Sequence, residues 1–380
     1  MDKFNSINNK RKLLKIYKHS QSRKNRKYKN RIARKKTHDS DYFKAIFKKV
    51  AKEIHSQIIY EPGEERIPIK TEFGLEDDSY RNDFFKLAKT ILNSRKKKII
   101  LDISNCKRIW PSAITFLCSL EQWAEMNNKY NETKRTIAST DSLYQNVNQY
   151  LNTCGFYKYV GRQGNPTYEL QKSADVLKIQ REHDKHLVEE REEEILKLLK
   201  NNTKFTDDQL ELFNSIILTE TFNNVLEHGI VNRDDGWWLL AQVHQKHQFI
   251  SLCIADNGIG FVNTLNSGPQ AKDIKALNLP EGDLIKYAFN ENVSGASNAT
   301  PTTKKSKANR GARRGNGLGR IKDTCKNLEM EFSIISHKGY CNVDINENIT
   351  TKTFDEIIFG GTMYSFIIPM NRQYVVPSSL

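Results

Sequence analysis

Three short stretches of the sequence set residue types that do chemistry at useful spacings. In "ETFNNVLEHG", Glu220, Asn224 and His228 stand at i, i+4 and i+8, so on a helix all three project from nearly one face. A carboxamide oxygen there can ligate a hard cation such as Mg²⁺, while a carboxylate one turn away orients water or a hydroxyl. A solvent-facing polar stripe has the same pattern, so this helix alone does not decide. In "IADNGIG", Asp256 ends an apolar run and is followed by Gly258 and Gly260. A carboxylate at a pocket mouth accepts a hydrogen bond from an exocyclic amine, and glycines let the backbone lie flat against a planar ring. The rival reading is a tight turn, for which Asp-Asn-Gly is a common string. In "RGARRGNGLGRIKD", Gly315, Gly317 and Gly319 precede a helix, whose free backbone N–H groups can cradle phosphates. Upstream lie Lys304, Lys305, Lys307, Arg310, Arg313 and Arg314, in a polar segment suited to fold over a triphosphate as a lid. No Gly-Lys-Ser/Thr follows the glycines, so this is not a P-loop, and it lacks the context of a dinucleotide-binding turn.

Taken in order, these stretches and "GGTMYSFIIP" resemble the GHKL superfamily of ATP-binding domains, which includes gyrase B, histidine kinases and anti-sigma-factor kinases. "ETFNNVLEHG" looks like the N box, "DNGIG" like the DxGxG box, "GNGLG" like the second glycine box and "GGT" like the closing strand. The resemblance spans about residues 170 to 370. It implies a Bergerat-type α/β sandwich binding ATP and Mg²⁺. Glu220 would be the catalytic base and Asn224 the Mg²⁺ ligand. Asp256 would read adenine, with Gly258, Gly260 and Thr362 beside it. Gly315, Gly317, Leu318 and Gly319 would form the phosphate loop, and Arg310, Arg313 and Arg314 would close over it. The Glu-x-x-x-Asn-x-x-x-His spacing is closest to the anti-sigma-factor serine kinases. Histidine kinases usually carry Asn or Asp at the Glu220 position, and His183 and His186 are only formal phosphoacceptors.

The elements that must position these residues are legible in part. "TDDQLELFNSIILTETFNNVLEHG" predicts a helix with Thr206 as N-cap, Gln209 completing a capping box and Gly229 at its far end. "GWWLLAQVHQKHQFISLCIADNG" predicts a hairpin, and "MEFSIISHKGYCNVDIN" with "EIIFGGTMYSFIIP" predicts three more strands. Helices against strands in mixed order indicate an α+β domain over 203–380, beginning as early as about 170. Residues 166–202 read as a connection ending in a charged helix. In that helix, Leu187, Arg191, Ile195 and Leu198 form one stripe, suited to pack on the following domain, with a homodimer seam as the alternative.

Residues 41–165 read as a separate α/β domain. The apolar run "KKIILDIS" predicts a strand covered on both faces, and helical spacing recurs in "NDFFKLAKTILN", "SAITFLCSLEQWAEMNN" and "YQNVNQYLNTCGF". "IILDISNCKRIWPSAITFL" resembles the STAS fold of anti-anti-sigma factors, in which a Ser at a strand-to-helix turn is phosphorylated. Pro111 occupies that position here and has no hydroxyl, while Ser112 is expected at the helix N-cap as a structural cap.

Residues 1–36 carry fifteen Lys or Arg against one acid, which is +14 of the chain's +15. Residues 1–40 are therefore expected to be a basic, disordered arm on a near-neutral body. Nucleic acid is a partner the arm could hold through residues 3–36. The six scattered cysteines suggest reduced thiols and a cytoplasmic location. No apolar run is long enough to span a membrane, and the N-terminus lacks a secretory h-region. The sequence thus points to a nucleotide-dependent switch acting on a protein partner. The alternative is a nucleic-acid-associated protein with ATP as a structural or gating ligand.

Overall fold

The computed structural model describes residues 45–46, 48–50, 52–53, 60–131, 135–162, 173–182, 187–226, 236–267, 270–290, 293 and 317–371. The chain separates into two compact units, Met1–Ile46 and Phe47–Leu380. In the first, residues 45 and 46 are described, and both are helical. The second contains two sheets of opposite character.

The first sheet is four-stranded and parallel, in the order β1-β3-β5-β6. It comprises β1 (Glu61–Pro68), β3 (Lys96–Asp102), β5 (Thr136–Ser139) and β6 (Gly161–Arg162). β2 (Glu72–Phe73) pairs with β4 (Arg108–Ile109) beside it. Parallel strands need crossovers, here the helices α1 (Asp78–Asn93), α2 (Pro111–Asn131) and α3 (Gln145–Thr153). Asp77 caps α1 through the Ser79 N–H. The strand expected at 97–104 and the three helical spacings all take the predicted form. β1 was hidden, because "EPGEERIP" is polar, carries two prolines and bulges between Glu61 and Glu64. An edge strand tolerates all three features.

Ser112 departs from expectation. The Ile114 N–H donates to the Trp110 carbonyl at 3.0 Å, which makes Trp110 the N-cap, Pro111 the first helical residue and Ser112 the second. The Glu76 carboxylate caps this helix instead, taking the Ser112 N–H at 2.8 Å and the Ser112 hydroxyl at 2.5 Å. Ser112 Oγ also accepts from the Leu75 N–H at 2.8 Å.

The second sheet has seven strands, all antiparallel, ordered β12-β11-β10-β13-β9-β8-β7. These are β7 (Val176–Glu182), β8 (Trp237–His244), β9 (Phe249–Asp256), β10 (Glu331–His337), β11 (Gly339–Val343), β12 (Ile349–Thr353) and β13 (Phe359–Pro369). Residues 166–202 therefore contribute an edge strand, β7, and are more than a connection. β12 is a further strand that the polar string "ITTKT" concealed. The charged helix α4 (Leu187–Asn202) buries Ile195, Leu198 and Leu199 in the core it shares with the following helices. Arg191, on the expected stripe, binds Glu182 at 2.8 Å.

β9 and β13 are buried along their whole length. Alternation sends Trp237, Leu239, Ile254 and Tyr364 to a core covered by helices. It sends Trp238, Leu240, Ala255 and Met363 to a second core, continuous with that of the four-stranded half. α2 lies in this second core, with Trp123 and Phe116 against the Phe359–Gly360 end of β13. No helix among the described residues is long and apolar enough to cross a membrane.

Candidate functional site

The helix beginning at Thr206 has the capping box read from its sequence, with Thr206 and Gln209 bonded reciprocally. It runs as α5 (Asp207–Leu212), a π-helical stretch (Phe213–Leu218) and α6 (Thr219–Asn224). The π geometry is accompanied by a bond from the Thr219 hydroxyl to the Asn214 carbonyl at 2.9 Å. Such widened turns recur at functional sites because they re-aim the residues that follow. Glu220 and Asn224 follow at once.

Three short helices, α7 (Phe261–Ser267), α8 (Ala271–Ala276) and α9 (Glu281–Tyr287), precede helix α10 (Gly317–Asn327), whose start Glu220 faces. A Cβ on Gly317 would stand 3.0 Å from Glu220 Oε2, so the close approach suits glycine. Arg320, in the first turn of α10, donates to Glu220 Oε1 at 2.5 Å. Asn224 uses its amide nitrogen to donate to the Tyr364 hydroxyl at 3.2 Å, leaving the oxygen as the atom a hard cation would take. Tyr364 lies on β13 opposite Ile254 of β9. Burial, together with the neighbouring Asp256 charge, raises the Tyr364 hydroxyl pKa far above its usual range, and the bond with Asn224 opposes this only in part.

Asp256 ends β9, buried, with Thr362 opposite it on one side and Trp237 on the other. Its Oδ1 accepts the Gly258 N–H at 2.9 Å. Gly260 has φ +78, where side chains are strained, and a Cβ there would meet Ser336 Oγ at 3.0 Å. Ser336 Oγ accepts the Phe261 N–H at 2.6 Å, donates to the Gly361 carbonyl at 2.9 Å and lies 3.3 Å from Thr362 Oγ1. Gly361 touches the Asp256 backbone so closely that a Cβ would sit 2.1 Å from its carbonyl oxygen. Two glycine-bearing segments are therefore pressed together at one end of the sheet.

Glu220, Asn224, Asp256, Gly258, Gly260, Gly317, Leu318, Gly319 and Thr362 thus lie on elements that meet through these contacts. Leu318 and Gly319 are buried on α10, which packs against the π-helical stretch and α6. Gly315, Arg310, Arg313, Arg314, the upstream lysines, His228, His183, His186 and the basic arm lie outside the described residues. Sequence reasoning missed Arg320, Tyr364, Ser336 and Gly361. Tyr364 had one signal, standing two residues after Thr362 on the same strand face. Arg320 had only its place one residue after the glycine string.

The arrangement offers a carboxylate, a carboxamide oxygen, a buried acid beside a glycine turn and a glycine-led helix start. That donor set suits a purine nucleotide with a divalent cation. Among the described residues no three His, Cys, Asp or Glu gather as a metal site. A Mg²⁺ held by one carboxamide and by phosphates needs no such cluster. No protein-family model, curated protein or solved structure matches the chain.

Proposed function

We propose that the chain is a nucleotide-dependent regulatory protein of GHKL type: a Bergerat-like ATP-binding sandwich joined to a STAS-like half, acting on a protein partner. One observation carries this reading. Glu220 touches the Gly317 start of α10, Asp256 pairs with Thr362 across β9 and β13, and Asn224, one turn past Glu220, reaches Tyr364 two residues along β13 from Thr362.

In this reading Asp256 and Thr362 hold the adenine edge, and the glycine turn after Asp256 supplies a flat floor. The start of α10 takes the phosphates, and the Asn224 oxygen holds Mg²⁺. Bound Mg²⁺ would neutralise phosphate charge during transfer. Glu220 is the group able to accept a proton from an attacking hydroxyl or water. Arg320 holds that carboxylate in an ion pair. With its side chain 44% exposed, Arg320 is free to turn toward an arriving phosphate, which releases Glu220. The reading covers hydrolysis and transfer to a Ser or Thr of another protein alike. Ser112 is a poor acceptor, since it is buried and bonded to Glu76 and Leu75.

A structure with a nonhydrolysable ATP analogue and Mg²⁺ tests the proposal. The expected density lies between Asp256, Asn224 and Gly317; an analogue seated elsewhere ends the reading. A second reading draws on the +14 charge of residues 1–36: the arm binds nucleic acid. It predicts steeply salt-dependent binding to DNA or RNA, lost on deletion of residues 1–37.

A further inference from the structure

Asp256 and Asn257 are chain neighbours that serve opposite sides of the sheet. Asp256 shares its strand position with Thr362 and Trp237, on the side of the candidate site. Asn257 turns the other way and reaches α2 of the four-stranded half. Its Nδ2 donates to the Ser119 carbonyl at 2.7 Å and to Gln122 Oε1 at 3.3 Å. Gln122 is fully buried, and both its ends are engaged. Its Oε1 also accepts from Trp238 Nε1 at 2.6 Å, and its Nε2 donates to the Gly236 carbonyl at 3.2 Å. Beside it, a Cβ on Gly360 would stand 2.2 Å from the Trp123 ring, while Gly361 presses on Asp256. α2 therefore touches both segments that carry the site, the Asp256–Gly260 turn and the Gly360–Thr362 stretch.

A leucine or methionine at the Gln122 position would bring no polar group of its own to be satisfied. A buried amide bonded at both ends instead fixes one arrangement of everything it touches, because each displaced partner would be left unpaired. We infer that Gln122 is a positioning residue for the nucleotide site: through Asn257 it sets the Asp256–Gly260 turn. The four-stranded half is then a fixed wall of that site and not a detachable regulator. This rests on the nucleotide reading above and assigns to α2 a part in it that the sequence motifs do not contain.

Two variants of the full chain test it, Gln122→Met, which keeps length and removes both polar ends, and Asn257→Ala, which leaves α2 untouched. Each is measured by amide hydrogen exchange without nucleotide, and by titration with a fluorescent ATP analogue and Mg²⁺. In each, the Gly258 amide is expected to exchange about tenfold faster, as one buried hydrogen bond is worth. Analogue affinity should fall about tenfold in each variant and well short of a hundredfold in the double variant, since the Asn257–Gln122 bond is lost in both. Two separate structural losses would multiply instead, and multiplicative losses overturn the inference. Unchanged exchange in Asn257→Ala overturns it whatever Gln122→Met does, including failure to fold. Faster exchange with unchanged affinity overturns the connection to the site. A wild type that binds no analogue overturns the nucleotide reading, and hydrogen exchange alone then decides whether α2 sets the turn.

Discussion

At the strand ends of the four-stranded half, polar groups bond to one another and to the backbone of adjoining turns. Asp102 Oδ1 takes the Ser104 hydroxyl at 2.6 Å, and the Ser142 hydroxyl donates to the Cys106 carbonyl at 2.7 Å. Glu76 caps α2 through Ser112 and also accepts from Ser251 at 2.9 Å; burial raises its pKa, and these bonds offset that in part. On the helix-covered side of the seven-stranded sheet, the polar side chains that meet come from helix and strand segments and include partly exposed ones. Glu220 meets Arg320 of α10, and Asn224 meets Tyr364 of β13. The contrast separates two uses of similar residues: a buried cluster that closes on itself holds turns in place, whereas a convergent one with exposed members presents groups to something outside the chain. The turn that resembles a phosphorylation site belongs to the first kind.

The largest expected effect breaks the convergent cluster chemically. Glu220→Gln should retain nucleotide and lose turnover by about 10²–10⁴-fold, measured as phosphate release or transfer. Turnover equal to wild type would remove Glu220 from the role of base. Next, Gly360→Ala drives a methyl to 2.2 Å from the Trp123 ring and should cost about 1–3 kcal/mol in a urea titration, as overpacking does. If the two halves separate readily in solution, that change will be silent.

A smaller effect concerns the other end of the junction, where Trp110 stacks on Phe249 and meets His244 with ring centroids 5.1 Å apart. Burial, then the nearby His247 and Arg108, lowers the His244 pKa from 6.5 to about 3. Above pH 6.5 neither folded nor unfolded His244 carries a proton. Below it the unfolded chain takes one up and the folded chain resists. Stability should therefore fall with pH between about 6.5 and 3, by at most roughly 1.4 kcal/mol per unit. His244→Phe should flatten that limb in thermal melts across the same window, and an unchanged slope would assign it to other groups.

Continuous apolar runs made β3, β8, β9, β10, β11 and β13 legible in the sequence, because strands buried on both faces leave no polar alternation to interpret. β1, β7 and β12 are polar edge strands whose pairing depends on a neighbour already in place. The π-helical stretch was invisible, since its capping box and apolar spacing equally suit an α-helix. Glu220, Asn224, Asp256 and Gly317 could be singled out because the residue type and the local turn both signalled them. Gln122 could not, since within α2 it is only one polar residue in a helix, and its role exists only once β8 and the Asp256–Gly260 turn lie across it.

Calorimetric titration of the full chain with a nonhydrolysable ATP analogue and Mg²⁺, repeated on Asp256→Asn, tests the convergence most directly. Binding by the wild type, weakened at least about tenfold in the variant by the lost carboxylate, is the predicted result. No binding by the wild type, or equal binding by both, would contradict it.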